Sequence, residues 1–180
     1  MKNILISALL CLGLMACGKN SVDHPVNVVP IVTPPAPAPV TPAPVTPPPT
    51  VVKGDKWQIT FPNGWEKADV EQDESMLVTY GNKSVGTLAI LERYSFDADM
   101  DTFVQVAAQS ISESGARLIS ARPIVINDQK QYLLTLIMGD GTIWSWLTIS
   151  GGYGYVLTCG GASPISQETC SRVANSFKTN

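Results

Sequence analysis

Histidine is almost missing from this sequence: its 180 residues contain one, His24. That imidazole lies upstream of the segment able to fold, so any site in that segment lacks the commonest general base and the commonest nitrogen ligand for a metal. Charge is sparse as well, with 12 Lys and Arg against 15 Asp and Glu and a formal net charge of −3. The cations are scattered, whereas nucleic-acid recognition needs a clustered basic face to neutralise phosphates, so no nucleic-acid partner is expected. Long apolar runs are lacking too. The stretch Ile4 to Leu14 falls short of the roughly 20 residues that cross a bilayer as a helix. There is no G-x-S-x-G elbow and no C-x-x-C pair. A Ser–Lys dyad needs no histidine, but Lys56, Lys67, Lys83, Lys130 and Lys178 all stand among polar neighbours typical of solvent. Glu71, Asp73 and Glu74 read as a solvated acidic loop rather than paired catalytic carboxylates. No catalytic residue, cofactor or metal is assigned, and a non-enzymatic protein is expected.

What is present begins with the pattern of an export signal. Met1-Lys2-Asn3 is a short positive start, Ile4 to Leu14 an apolar run, and Leu14-Met15-Ala16-Cys17 a small-residue cleavage site. This segment resembles a bacterial lipoprotein signal, with Leu14 and Ala16 at lipobox positions and Met15 a less usual occupant. The resemblance implies cleavage between Ala16 and Cys17 and acylation of Cys17, which would hold the protein at a bilayer at about 0.8 kcal/mol per buried CH₂. A plain secretory signal with an incidental cysteine is the alternative. Gly18 stands where an Asp would mark inner-membrane retention in enteric lipoproteins, so the expected place is the outer membrane, facing the periplasm.

Residues 1–16 are therefore read as signal, 17–53 as acylated Cys17 plus linker, and 54–180 as a globular domain. From Pro25 to Pro49 prolines alternate with Val, Ala and Thr. Proline fixes φ and removes amide donors, so the linker is expected to be a disordered, extended tether without a core. At about 3.1 Å per residue it could reach on the order of 100 Å. A docking site for a proline-reading domain, or sugars on Thr41, Thr46 and Thr50, are the sharper alternatives for the same stretch.

The remainder is long enough for one hydrophobic core. Trp57 to Phe61 alternates in strand fashion before a Pro62-Asn63-Gly64 turn, and Met76 to Tyr80 and Gly86 to Tyr94 read as two further strands. Phe103, Val104, Ala107, Ala108 and Ile111 form one helical stripe, ended by Gly115. The aspartates ahead of it, Asp97, Asp99 and Asp101, read as N-terminal caps. A calcium loop fails because Thr102 and Ala108 occupy its glycine and glutamate positions. Arg117 to Ile126, Gln131 to Met138, Ile143 to Ser150 and Tyr153 to Cys159 follow as an antiparallel meander. Leu133 to Met138 is apolar on both faces, which predicts a sheet centre covered on both sides. A last helix places Cys170, Val173, Ala174 and Phe177 on one face.

This element order, with the opening Trp57-Gln58-Ile59-Thr60-Phe61-Pro62-Asn63-Gly64-Trp65 and the closing Asn175-Ser176-Phe177-Lys178, resembles the PsbP-like family. The resemblance implies an α+β fold, an α/β/α sandwich around a predominantly antiparallel sheet. It also implies an assembly, stabilising or interaction role without shared catalytic residues. The expected function is that of a tethered domain binding or stabilising a protein partner in the envelope, with a small-ligand-binding domain or a histidine-independent hydrolase as alternatives.

With Cys11 lost in the signal and Cys17 acylated, Cys159 and Cys170 are the thiols left in the domain. An oxidising envelope favours a structural bridge between them over a redox pair or half of a zinc site. Trp144 and Trp146 share a face of one strand, and Tyr153 and Tyr155 repeat that spacing on its hairpin partner. This ladder is either core under a helix or loop, or an exposed partner surface.

Overall fold

The computed structural model describes residues 48–71, 73–162 and 166–179. Ala16, Cys17, His24 and most of the linker lie outside the described residues.

The chain runs β1 (Thr50–Gly54), β2 (Trp57–Phe61), β3 (Glu66–Lys67), β4 (Met76–Asn82), β5 (Thr87–Ser95), α1 (Met100–Glu113), β6 (Arg117–Ile126), β7 (Gln129–Met138), β8 (Gly141–Ser150), β9 (Tyr153–Gly161), α2 (Ser166–Ser176) and β10 (Lys178–Thr179). Seven strands form one sheet in the order β3-β4-β5-β9-β8-β7-β6, and β1, β2 and β10 form a second, small sheet. Every pairing is antiparallel. One face of the large sheet carries α1; the other carries α2 and the small sheet, which gives the expected α/β/α layering around an antiparallel centre.

Local sequence explains most of these elements. The Asp99 carboxylate accepts a hydrogen bond from the Thr102 amide at 2.8 Å, capping α1, and Gly115 supplies the left-handed turn that ends it (φ 81°). Asn127 and Asp128 both take positive φ in the β6–β7 turn, as a two-residue hairpin connection requires. The Asn127 amide also reaches across to donate to the carbonyls of Asn175 and Phe177, fastening that hairpin to the end of α2.

Two packed cores flank the large sheet. Beneath α1, Phe103, Ala107 and Ile111 meet Ile90, Leu134, Leu136, Ile143, Leu147 and Val156. Beneath α2 and the small sheet, Trp57, Ile59, Phe61, Cys170, Val173 and Phe177 meet Ala89, Leu91, Trp144, Trp146, Tyr155 and Leu157. The strands buried on both faces are β9, at the sheet's centre, and its neighbour β8, rather than the 133–138 run. That run lies on β7, one strand in from the edge. Leu134 and Leu136 go under α1 while Leu133 and Ile137 stay half-buried, because α2 packs on β9, β5 and β8.

The small sheet departs from the sequence expectation. The linker–domain boundary set at residues 53 and 54 falls inside β1, where Thr50, Val51 and Val52 pair with Phe61, Thr60 and Ile59. β-Branched residues directly after Pro49 favour extended pairing once β2 offers an edge. The last residues add β10 on the other side of β2.

Candidate functional site

The face beneath α2 holds the residues singled out for their chemistry. Register places Trp144 opposite Cys159, Trp146 opposite Leu157 and Thr148 opposite Tyr155 across β8 and β9. Cys159 is bonded to Cys170 with Cα atoms 5.6 Å apart, which ties the central strand to α2. Both cysteines are fully buried, so the bond is a staple out of reach of exchange partners.

The aromatic ladder is corrected as a partner surface. Trp144, Trp146 and Tyr155 retain 8%, 5% and 0% exposure and pack in the core, because α2 and β2 close over this face. The Tyr155 ring lies 5.8 Å from that of Phe177. These side chains fill the space a small ligand would need between sheet and covering layer. Tyr153, at the rim, is the one member left half-buried, and two cations sit against its ring: Lys56 Nζ at 5.5 Å and Arg93 Cζ at 4.7 Å from the centroid.

The α1 face holds a group that sequence reasoning missed. Glu92, on β5, is 0% exposed. One of its oxygens accepts from the Tyr94 hydroxyl at 2.9 Å, while Oε2 is buried with no partner among the described residues. Burial pushes this carboxyl up to about 7; the bond from Tyr94 pulls it down, and the charge of Asp73 adds to the rise. Tyr94 is in turn pushed above the ordinary tyrosine range by burial and by the Glu92 charge, so it stays protonated as the donor. Asp73 itself accepts from the Ser75 amide and hydroxyl and from the Met76 amide, closing the turn into β4. It is thus a turn-forming residue, while Glu71 and Glu74 remain exposed beside it. The sequence signal was a glutamate one step past the apolar run Leu88 to Leu91, on a strand central enough to be covered on both faces.

The rim of the large sheet was missed as well. Register puts Leu118, Ala121, Pro123 and Val125 of β6 opposite Leu136, Leu134, Tyr132 and Lys130, which places them on the α1 face. α1 leaves this row uncovered: Leu118 and Val125 keep 38% and 68% exposure, and Ile119, in the bulge next to Leu118, keeps 47%. Beside the row, a groove of about 430 Å³ opens between Met100 and Asp101 of α1 and Pro123, Val125, Lys130 and Tyr132. The Tyr132 hydroxyl donates to Asp101 at 3.3 Å, and the nearby carboxylate holds the tyrosine above its usual range. Pro123 within a strand was the sequence mark of an edge, since a proline cannot serve a ladder on both sides.

The lysines do not converge on a nucleophile: Lys83 pairs with Glu66 at 3.8 Å and Lys56 with the Tyr153 ring. Among the described residues no three His, Cys, Asp or Glu side chains group as metal ligands.

No protein-family model matches the chain, and no curated protein matches it by sequence. Solved structures do. The solution structure of cyanobacterial PsbP from Synechocystis sp. PCC 6803 superposes with a TM-score of 0.59 at 16% identity, covering 78% of this chain and 98% of that one. A protein of unknown function from Pseudomonas aeruginosa superposes with a TM-score of 0.46 at 13% identity, covering 71% of this chain and 94% of that one. At such identities the likeness speaks for architecture alone. The domain has the PsbP-like fold.

Proposed function

We propose that this protein is a lipoprotein anchored through Cys17 to the envelope, outer membrane favoured, whose PsbP-like domain binds a protein partner without catalysis. The observation that carries the binding reading is the uncovered row of β6. A monomeric domain rarely leaves a contiguous apolar strip without a use for it, and Leu118, Ile119 and Val125 are three of the four exposed large hydrophobic side chains among the described residues. The strip borders the groove at Tyr132 and Asp101, where apolar floor and a few polar groups lie together as at protein interfaces. The lipobox-like Leu14 to Cys17 and the proline-rich stretch after it support the anchor and the tether.

Two measurements test this reading. Intact mass of the membrane-extracted protein should show a chain beginning at Cys17 with acyl chains added; a product that keeps Met1 or lacks acyl groups defeats the anchor. A photo-crosslinking side chain at position 125, compared with one at position 51 on the small sheet, should yield one identified partner from position 125 alone, recovered reciprocally and lost in Ile119→Asp. Equal labelling from both positions, or none from 125, defeats the partner reading.

A further inference from the structure

We infer that the corner around Tyr153 is a binding site for a phosphate-type anion, a property separate from the protein-binding strip on the opposite face. Tyr153 is the first residue of β9, and register sets Ser95 of β5 and Ser150 of β8 directly beside it on the same face of the sheet. Arg93, one row inward on β5, lies with its guanidinium carbon 4.7 Å from the ring centroid, and Lys56, in the β1–β2 turn, brings its ammonium to 5.5 Å. Two cations therefore share one ring. Neither forms an ion pair with a described residue, although Lys83 and Arg172 both find carboxylates.

Two unpaired cations on one ring raise the local positive potential, and a tyrosine face offsets that only in part, by about 0.5–1 kcal/mol per cation at exposed sites. A dianionic group at the rim of the ring would offset both charges. The Arg93 fork can hold two of its oxygens, Lys56 adds a point charge, and register sets Ser95 and Ser150 on the two strands beside Tyr153, where a hydroxyl can add a neutral donor. The Gly151–Gly152 turn leaves the approach free of side chains: Lys56 Nζ is 3.9 Å from where a Cβ on Gly151 would stand.

The surroundings reinforce the sign of the charge. On the outer side of the small sheet, Lys53 and Lys178 flank Gln58 from its two neighbouring strands, and both are exposed. With Lys56 in the connecting turn and Arg93 on β5, four cations outweigh the two exposed carboxylates at this corner, Asp55 beside Lys56 and Asp97 just past the Phe96 amide that bonds to Gly152. Such a field draws anions toward the corner from beyond contact distance. A free phosphate, a phosphorylated sugar and a phospholipid headgroup all present this chemistry.

The test is calorimetric titration of the full chain, in detergent, with inorganic phosphate and with glycerol phosphate, alongside sedimentation with phosphatidylglycerol and phosphatidylcholine vesicles. The vesicle assay uses chain whose Cys17 is replaced by Ser, so that anchoring cannot mimic binding. Saturable binding of phosphate or glycerol phosphate, weakened at least tenfold in Lys56→Gln and in Arg93→Lys, supports a soluble phosphate ligand. Binding confined to phosphatidylglycerol vesicles and lost in the same variants supports a headgroup. Absence of saturable binding to every probe overturns the site, as does binding that survives Lys56→Gln. Lys56 stands in an exposed turn, so Lys56→Gln tests the site without threatening the fold.

Discussion

Replacing Glu92 by Gln should make the domain clearly more stable at pH 8 and only slightly so at pH 5. The buried carboxyl titrates at about 7 in the folded state against an ordinary 4.5. Between those values the folded protein keeps a proton that the unfolded chain releases, so the slope of stability against pH is negative. The contribution is full below 4.5, declines through the interval, and is gone above 7. At about 1.4 kcal/mol per pH unit, the whole interval amounts to about 3 kcal/mol. In a domain of this size that corresponds to a fall in Tm of roughly 10 °C. A glutamine keeps the acceptor for the Tyr94 hydroxyl and carries no charge, so it imitates the protonated acid at every pH. Thermal unfolding followed by far-ultraviolet circular dichroism from pH 5 to 8 should show the wild-type Tm dropping while that of Glu92→Gln stays nearly level. His24 is present in both proteins and cancels in the comparison. Parallel curves for the two proteins would refute the reasoning, because Glu92 would then ionise as freely folded as unfolded.

Three further outcomes follow from packing. Replacing Cys159 and Cys170 together by Ala should lower stability by about 3 kcal/mol in urea titration, the loop-closure value for the 11-residue separation, with the spectrum of the folded state retained. A Cβ at Gly154 would stand 2.6 Å from the Phe103 ring, so Gly154→Ala should cost roughly 1–3 kcal/mol, and adding Phe103→Leu should return part of it. Val125→Asp should leave the Tm within about 2 °C of wild type, since the residue is already 68% exposed, while partner crosslinking from a probe moved to position 118 is lost.

Much of the architecture was legible because local signals agree with one another. The alternation in Trp57 to Phe61, the stripe Phe103 to Ile111 between Asp99 and Gly115, and the turn pairs at Asn127 and Gly151 each mark an element whose boundaries the fold keeps closely. The pairing of Cys159 with Cys170 was legible from compartment and count. What periodicity leaves open is which layer covers a face. Trp144 and Trp146 share a face whether or not a helix lies on it, and only the tertiary placement of α2 decided that they are core. β1 and β10 were hidden for a different reason: one follows a proline-rich stretch and the other is two residues long, so neither carries a pattern of its own. Glu92 escaped notice because a strand of apolar residues tolerates one acid at its end, and nothing local tells that Oε2 will be shut away from water. The β6 row was hidden for the converse reason: its residues look like core, and the helix that would have covered them falls short.

The small sheet has a consequence for how the chain matures. Its middle strand, β2, is made early, gains one neighbour from the residues just before it, and waits for the other until Lys178 and Thr179 are in place. The large sheet's central strand β9 likewise joins β5 across some sixty intervening positions. A nascent polypeptide growing from its amino end therefore cannot lock this domain partway, and it stays slack until β10 has been made. Removing Lys178 and Thr179 should thus be felt at β2, which would be left with one bare edge.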